Sequence, residues 1–305
     1  MASSGFVLLD KTAGETSFKA LFPLKRVFCT KRVGHAGTLD LRASGLIIAA
    51  TGRATRLLPY VEAKDKCYTF KLHLGYETDT LEWDGAVVEQ SDVPSRISRE
   101  DLERVLPQFI GDIDQIPPKY CAVKIDGRRA SDWMERGKQI DLKPRRIHIA
   151  SLKVVGEGLE TEGASGKSFA TFDLECNCSK GTYIRSLGRD LARVLGTCGC
   201  VSMIRRHRIG NVTVDRAVRG DALTPGHLLP VEQVLDFPVV RMNEEQIKAI
   251  RLGNWVPWHN PVENLSTEPG TENFVFAADK TGIVIALCHY EPGRIKPKFY
   301  LGEDD

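Results

Sequence analysis

A chain of 305 residues can bury a full hydrophobic core and exceeds an average single domain, so one large domain joined to a smaller one is the natural organisation. Its 42% hydrophobic and 27% charged residues fit an ordinary soluble globular protein. The apolar runs LIIAAT and FVFAA are too short to cross a bilayer, and the start MASSGFVLLDK lacks the basic residues and long apolar stretch of a signal peptide, so the chain reads as cytoplasmic. The net charge of +2 conceals an asymmetry: residues 241–305 hold seven basic against ten acidic side chains, a balance of −3, which leaves +5 on residues 1–240. Within residues 180–219, nine basic side chains (Lys180, Arg185, Arg189, Arg193, Arg205, Arg206, Arg208, Arg216 and Arg219) meet only Asp190 and Asp215, the footprint expected where a polyanion docks.

In chain order, GFVLLD reads as a short buried strand that leads into Lys11 and the turn TAGETS. Ser17 is placed to cap the next helical segment, which Pro23 must interrupt or restart. CTKRVGH then brings Lys31 and Arg32 to the polar loop VGHAGTLDLRASGL, residues 33–46. This loop carries a single carboxylate, Asp40, and its glycines let the backbone turn and approach a ligand closely. Composition alone suits a tight surface turn as well as a catalytic loop. After the strand LIIAAT and the helical run GRATRLLPYVEA comes KCYTFKLHL, where Tyr68, Phe70, Leu72 and Leu74 alternate with Cys67, Thr69, Lys71 and His73 as in a half-buried strand.

Ser98 to Asp101 forms a capping-box-like helix start, and residues 113–137 combine a double proline, an aromatic and several basic groups before a short helix. RRIHIASLKVVG and SFATFDLECN read as a strand pair. Their linker contains SGKS, but a phosphate-binding loop would need glycine where Thr161 stands, which excludes that reading. Eight cysteines in a cytosolic protein of this length are expected to be reduced. The pairs Cys176/Cys178 and Cys198/Cys200 are spaced more tightly than structural zinc ligands, and strand periodicity turns Cys176 and Cys178 to one face. Residues 178–196 form the clearest helix: Ile184, Leu187, Leu191, Val194 and Leu195 make an apolar stripe, Arg185, Arg189 and Arg193 line another face, and Gly196 supplies a stop. LLPVEQVLDFP is linker-like. Beyond it Asn243 caps EEQIKAIRLG, and NFVFAAD and IVIALCHY are joined by a DKTG turn, so residues 241–305 are expected to be a small β-rich domain.

Five blocks, in order, resemble the TruB family of tRNA pseudouridine synthases: GFVLLDKTAGETS, GHAGTLDLRASGLI, KCYTFKLHLGYETDT with the following DG, IPPKYCAVKIDGRRA, and CSKGTYIRSLGRDL with IRRHRIG. The resemblance covers nearly the whole chain. It implies an α+β pseudouridine synthase fold with a central, largely antiparallel mixed sheet over residues 1–240, and a PUA-like RNA-binding domain over residues 241–305. It also implies isomerisation of uridine 55 in the tRNA T-loop with no metal or organic cofactor, by a monomer that needs no protein partner. Carried over by position, Asp40 is the catalytic aspartate, Tyr68 the active-site tyrosine and Arg185 the arginine paired with the aspartate. His35 is the loop histidine, Lys11 the lysine of the first motif and Ile204 the apolar contact beneath the base. Lys180, Arg205 and Arg206 belong to the basic segment expected to hold RNA phosphates. Two departures stand out: Leu41 and Arg42 follow Asp40 where the family has proline and leucine, and Thr12 follows Lys11 where proline is common. The rival readings are a non-catalytic RNA-binding protein on the same fold and an RNA N-glycosidase, although an ordinary glycosidase sets two carboxylates across the bond.

Overall fold

A computed structural model describes residues 4–91, 97–138, 140–161, 168–263, 265 and 272–302. The first half runs β1 (Gly5–Lys11), α1 (Phe22–Val27), β2 (Val33–Ala36), β3 (Ser44–Thr51), α2 (Leu58–Glu62), β4 (Lys66–Leu74), β5 (Tyr76–Thr78), β6 (Val87–Gln90), α3 (Arg99–Val105) and β7 (Gly111–Gln115). There follow β8 (Lys124–Ile125), β9 (Arg128–Arg129), α4 (Ala130–Met134), β10 (Arg145–Thr161), β11 (Ser168–Cys178), α5 (Ile184–Val194), β12 (Gly199–Ile209) and β13 (Val212–Thr213). The chain ends with β14 (Val239–Arg241), α6 (Glu244–Arg251), β15 (Val256–Pro257), β16 (Phe274–Ala278), β17 (Val284–Glu291) and β18 (Arg294–Tyr300).

The main sheet has the order β1-β3-β12-β4-β11-β10-β7, with β2 on β3 and β13 on β12. Its pairings are antiparallel except for β3 with β12, the mixed and largely antiparallel sheet that was expected. Strand alternation decides which face each side chain serves. Val7 and Leu9 of β1, with Ile47 and Ala49 of β3, enter the core beneath α5, where Leu187 and Leu191 lie. Phe6 and Leu8, with Leu46, Ile48 and Ala50, enter a second core on the other face. Both strands read as continuous apolar runs because both of their faces are covered.

The second cover is the C-terminal sheet, ordered β14-β16-β17-β18-β15, which contributes Phe276 and Leu287 to that core. The connecting segment 228–238, linker-like in sequence, is itself packed: Phe6 and Leu229 exchange backbone hydrogen bonds at 2.9 and 2.8 Å, and Leu235 is fully buried. The caps at Ser98 and Asn243 form, each with a reciprocal bond to the residue three positions on. Val194, assigned to the apolar stripe of α5, is instead exposed at the last turn, past the reach of the sheet. Ser165, Gly166 and Lys167 of the SGKS motif lie outside the described residues. Among the described residues no helix is long and apolar enough to cross a membrane.

Candidate active site

The segment 37–43 connects β2 to β3, and its shape is imposed by close backbone approaches. Gly45 has φ +101°, and a Cβ there would lie 2.2 Å from the carbonyl oxygen of Arg206, so glycine lets β3 run against β12 at this point. Three groups of the first motif clamp the loop from the other side. The Ser17 hydroxyl donates to the Leu39 carbonyl and accepts from the Leu39 amide, both at 3.0 Å. The Gly14 amide donates to the Leu41 carbonyl at 2.8 Å. The Lys11 ammonium donates to the carbonyls of Ala43 at 2.6 Å, Thr12 at 3.0 Å and Leu41 at 3.3 Å, and also to that of Glu15.

Ser17 is therefore not the helix cap that its position suggested; its hydroxyl is taken up by Leu39, and the Lys19 amide finds Thr16 Oγ1 instead. Lys11, expected at the substrate, is 1% exposed and does not line the cavity that Asp40 faces. Burial pushes its pKa down.

This clamp presents Asp40 to Arg185, which arrives on the first turn of α5 from 145 residues away. The guanidinium forks across the carboxylate, with Nε to Oδ2 at 2.9 Å and Nη2 to Oδ1 at 3.0 Å. Two of its remaining donors go to the carbonyls of Thr80 and Tyr120, both at 2.9 Å. The arginine side chain is 5% exposed and the aspartate 40%, so a fixed, buried cation holds an acid that still faces open space. Each charge-assisted bond of this kind is worth about 1.5–3 kcal/mol. Gln115 holds the start of α5 in turn, accepting from the Tyr183 amide at 2.8 Å and donating to the Tyr183 carbonyl at 3.1 Å.

Asp40 opens on a cavity of about 670 Å³ that is also lined by Tyr68, Lys66, Arg185, Arg206, Tyr183 and Glu62, with Lys180, Arg145 and Arg146 among its cationic residues. Tyr68 sits on the buried face of β4, opposite Arg206 of β12. Burial raises its pKa, and Arg206 opposes that shift only in part, so the phenol is neutral near pH 7. Arg206 is 1% exposed and donates to Leu46 O at 2.7 Å and Gly37 O at 2.9 Å. It braces the loop and Tyr68 from behind. Lys66 was missed in the sequence. Burial, then the nearby Arg206 charge, bring its ammonium down to about 8. Only its position two residues before Tyr68, on the same strand face, could have signalled it.

His35, on β2, does not line this cavity. Burial and Arg206 lower its pKa, keeping the ring neutral, and its Nδ1 is buried without a partner among the described residues. Ile204 is buried and lines a neighbouring recess with Arg42, Glu82 and Trp83. Arg42 pairs with Asp84 at 2.6 Å across that recess, so the residue that departs from the family pattern ties the loop to residues 82–84.

The basic side chains of α5 and β12 are mostly bonded within the fold. Arg189 bonds Asp190 and the Ile116 carbonyl, Arg193 bonds Glu77 and Glu89, Arg205 bonds Asp10, and Arg208 bonds Asn177 and the Gly210 carbonyl. Lys180 remains at the cavity.

The model of the TruB family pseudouridylate synthase N-terminal domain matches residues 25–184. The chain is 36% identical over 306 residues to a tRNA pseudouridine synthase B of Caulobacter sp. (strain K31), covering 97% of this chain and 95% of that protein. It is 37% identical over 254 residues to the protein of that name from Borrelia garinii subsp. bavariensis, covering 83% and 86%. In fold it is similar to a chain of an H/ACA RNP bound to a substrate RNA containing 2'-deoxyuridine, with TM-score 0.68 and 18% identity, covering 98% of this chain and 85% of that one. A Cbf5-Nop10-Gar1 complex gives TM-score 0.67 at 20% identity, with 98% and 85% covered. With the family matched over more than half its length, and relatives above one-third identity along nearly all of it, this chain belongs to the TruB family of pseudouridylate synthases.

Proposed function

We propose that this chain converts uridine 55 in the T-loop of tRNA to pseudouridine, with Asp40 as the reacting carboxylate. The single observation that carries the reading is the Asp40–Arg185 fork facing a cavity of nucleotide size. The tRNA pseudouridine synthase B relatives supply the substrate class.

The reaction breaks the bond from ribose C1′ to base N1, turns the freed uracil and joins its C5 to C1′; the C5 proton is given up, the freed N1 takes up a proton, and nothing is lost or added overall. A carboxylate serves this either by attacking C1′ or by removing a ribose proton, and both routes use an oxygen aimed at the sugar. Arg185 fixes that aim. Tyr68, neutral, on the buried face of its strand and at the cavity, suits stacking on the base better than resting as a phenolate. The uridine must leave its stack, at a cost of a few kcal/mol, and the neutral ring of His35 is suited to the gap left behind. Lys180, Arg145 and Arg146 supply cations for the backbone. Arg206 acts through the loop and Tyr68 as a positioning residue, while the pairing of Arg205 with Asp10 leaves it a smaller share in phosphate contact. Ile204 offers its apolar contact from the adjoining recess. The C-terminal sheet is read as a PUA-like RNA-binding unit; Lys296, 5.3 Å from the Trp255 ring, gives it a cation beside an aromatic, while Arg294 over the same ring is paired with Glu291.

Incubation with an unmodified tRNA transcript, without added cofactor, followed by carbodiimide mapping and mass spectrometry, separates this reading from its rivals. Pseudouridine at one T-loop position supports it. Release of free uracil points to an N-glycosidase, for which Glu62 would be the second carboxylate in the cavity, and binding with no chemical change points to a non-catalytic RNA-binding protein.

A further inference from the structure

The segment FKALFPLKRVF buries Ala20, Leu21, Leu24 and Phe28 against the main core, as an amphipathic helical segment should. Its opposite face breaks the pattern: Phe18 and Phe22 project into solvent, 59% and 50% exposed. Their rings meet edge to face with centroids 5.4 Å apart, and the Lys25 ammonium rests 4.9 and 5.2 Å from the two centroids. Nothing in the fold covers this pair among the described residues, and two rings are too small an apolar area for the core of a protein interface.

Position and charge indicate what does cover it. Phe18 directly follows Ser17, whose hydroxyl grips Leu39, the neighbour of Asp40, so the aromatic pair is anchored beside the catalytic loop and outside its cavity. Arg26 lies one helical turn beyond Phe22, Lys31 and Arg32 follow in the chain as exposed cations, and among the described residues none of them is paired with a carboxylate. On the other side of the pair, the groove lined by Lys19 and Arg219 also holds Asp10, Glu15 and Asp221, which makes that side a poor path for phosphates. Aromatic faces set beside unneutralised cations are the arrangement that binds unpaired nucleotides, because every base has a face to stack and every step has a phosphate to neutralise.

We propose that Phe18 and Phe22 form a stacking platform for an unpaired base of the RNA substrate, outside the Asp40 cavity, with Lys25 leaving the rings to meet the adjoining phosphate. The proposal rests on the RNA-modifying function given above. It is tested by measuring Kd for full-length unmodified tRNA at fixed salt, with the whole chain and with the paired variants Phe18→Ala/Phe22→Ala, Phe18→Leu/Phe22→Leu and Phe18→Tyr/Phe22→Tyr. The alanine and leucine pairs are expected to raise Kd at least about fivefold, the low end of a lost base–aromatic stack, while the tyrosine pair stays within about twofold of wild type. An alanine pair within about twofold of wild type overturns the platform, and so does a leucine pair that binds as tightly as phenylalanine, because apolar packing alone then suffices. The leucine pair keeps the apolar bulk, so its Kd remains decisive even if the alanine pair melts early. Pseudouridine is measured in the same wild-type samples. Wild type that binds tRNA but forms no pseudouridine removes the proposed reaction and leaves the platform to stand or fall on Kd. Wild type that does not bind tRNA overturns both.

Discussion

The loop between β2 and β3 carries two ion pairs two residues apart, and they differ in almost everything that decides their weight. On the inner face, Asp40 meets the guanidinium of Arg185 through two parallel bonds, and that arginine is buried and makes two further bonds to backbone carbonyls. On the outer face, Arg42 meets Asp84 at 2.6 Å with both side chains largely in water, at 61% and 43% exposure. Short distance alone does not make a strong interaction. Desolvation, bidentate geometry and immobilised partners do, so the inner pair is expected to carry more weight than the outer one, which trims the loop.

Breaking the inner pair has the largest expected effect. Arg185→Met leaves the carbonyls of Thr80 and Tyr120 and the Asp40 carboxylate without their donor. It is expected to lower the melting free energy by about 3 kcal/mol and activity by at least about a thousandfold, read by denaturant titration and single-turnover assay. Arg185→Lys keeps the charge and loses the fork, and recovery of near-normal turnover by that variant would contradict the geometric role.

The loop clamp comes next. Lys11→Met removes an ammonium that ties Leu41 and Ala43 to the first motif. About 2 kcal/mol of stability and roughly tenfold to a hundredfold in kcat should be lost, with KM changing less, because the loop loses its register while the cavity cations remain. A KM effect larger than the kcat effect would return Lys11 to direct substrate contact.

The outer pair should matter least. Arg42→Ala and Asp84→Ala are each expected to change stability by less than about 1 kcal/mol, with the double variant no worse than either single one.

These contrasts also mark what the sequence made legible. Period-two alternation identified β4 and placed Tyr68 on its buried face, because strand geometry is local. The capping boxes at Ser98 and Asn243 were legible for the same reason. Asp40 and Arg185 could be paired only through family resemblance, since nothing local says that residues 145 positions apart meet. The basic helix face was overread: the spacing of Arg185, Arg189 and Arg193 was correct, but Glu77, Glu89 and Asp190 neutralise two of the three, and Glu77 and Glu89 come from a distant ribbon. Ser17 was misassigned because its partners are a backbone carbonyl and amide, and the burial of Lys11 among backbone carbonyls was illegible for the same reason: such partners leave no trace in residue identity.

The most direct measurement is pseudouridine formation by Asp40→Asn, assayed beside its tRNA affinity. The substitution keeps the size of the side chain and removes the charge that Arg185 grips, so tRNA binding within about tenfold of wild type, with no converted uridine at saturating enzyme, is the expected result. Turnover at the wild-type rate in that variant would contradict the role given to Asp40 and, with it, the reading of the loop as the active site.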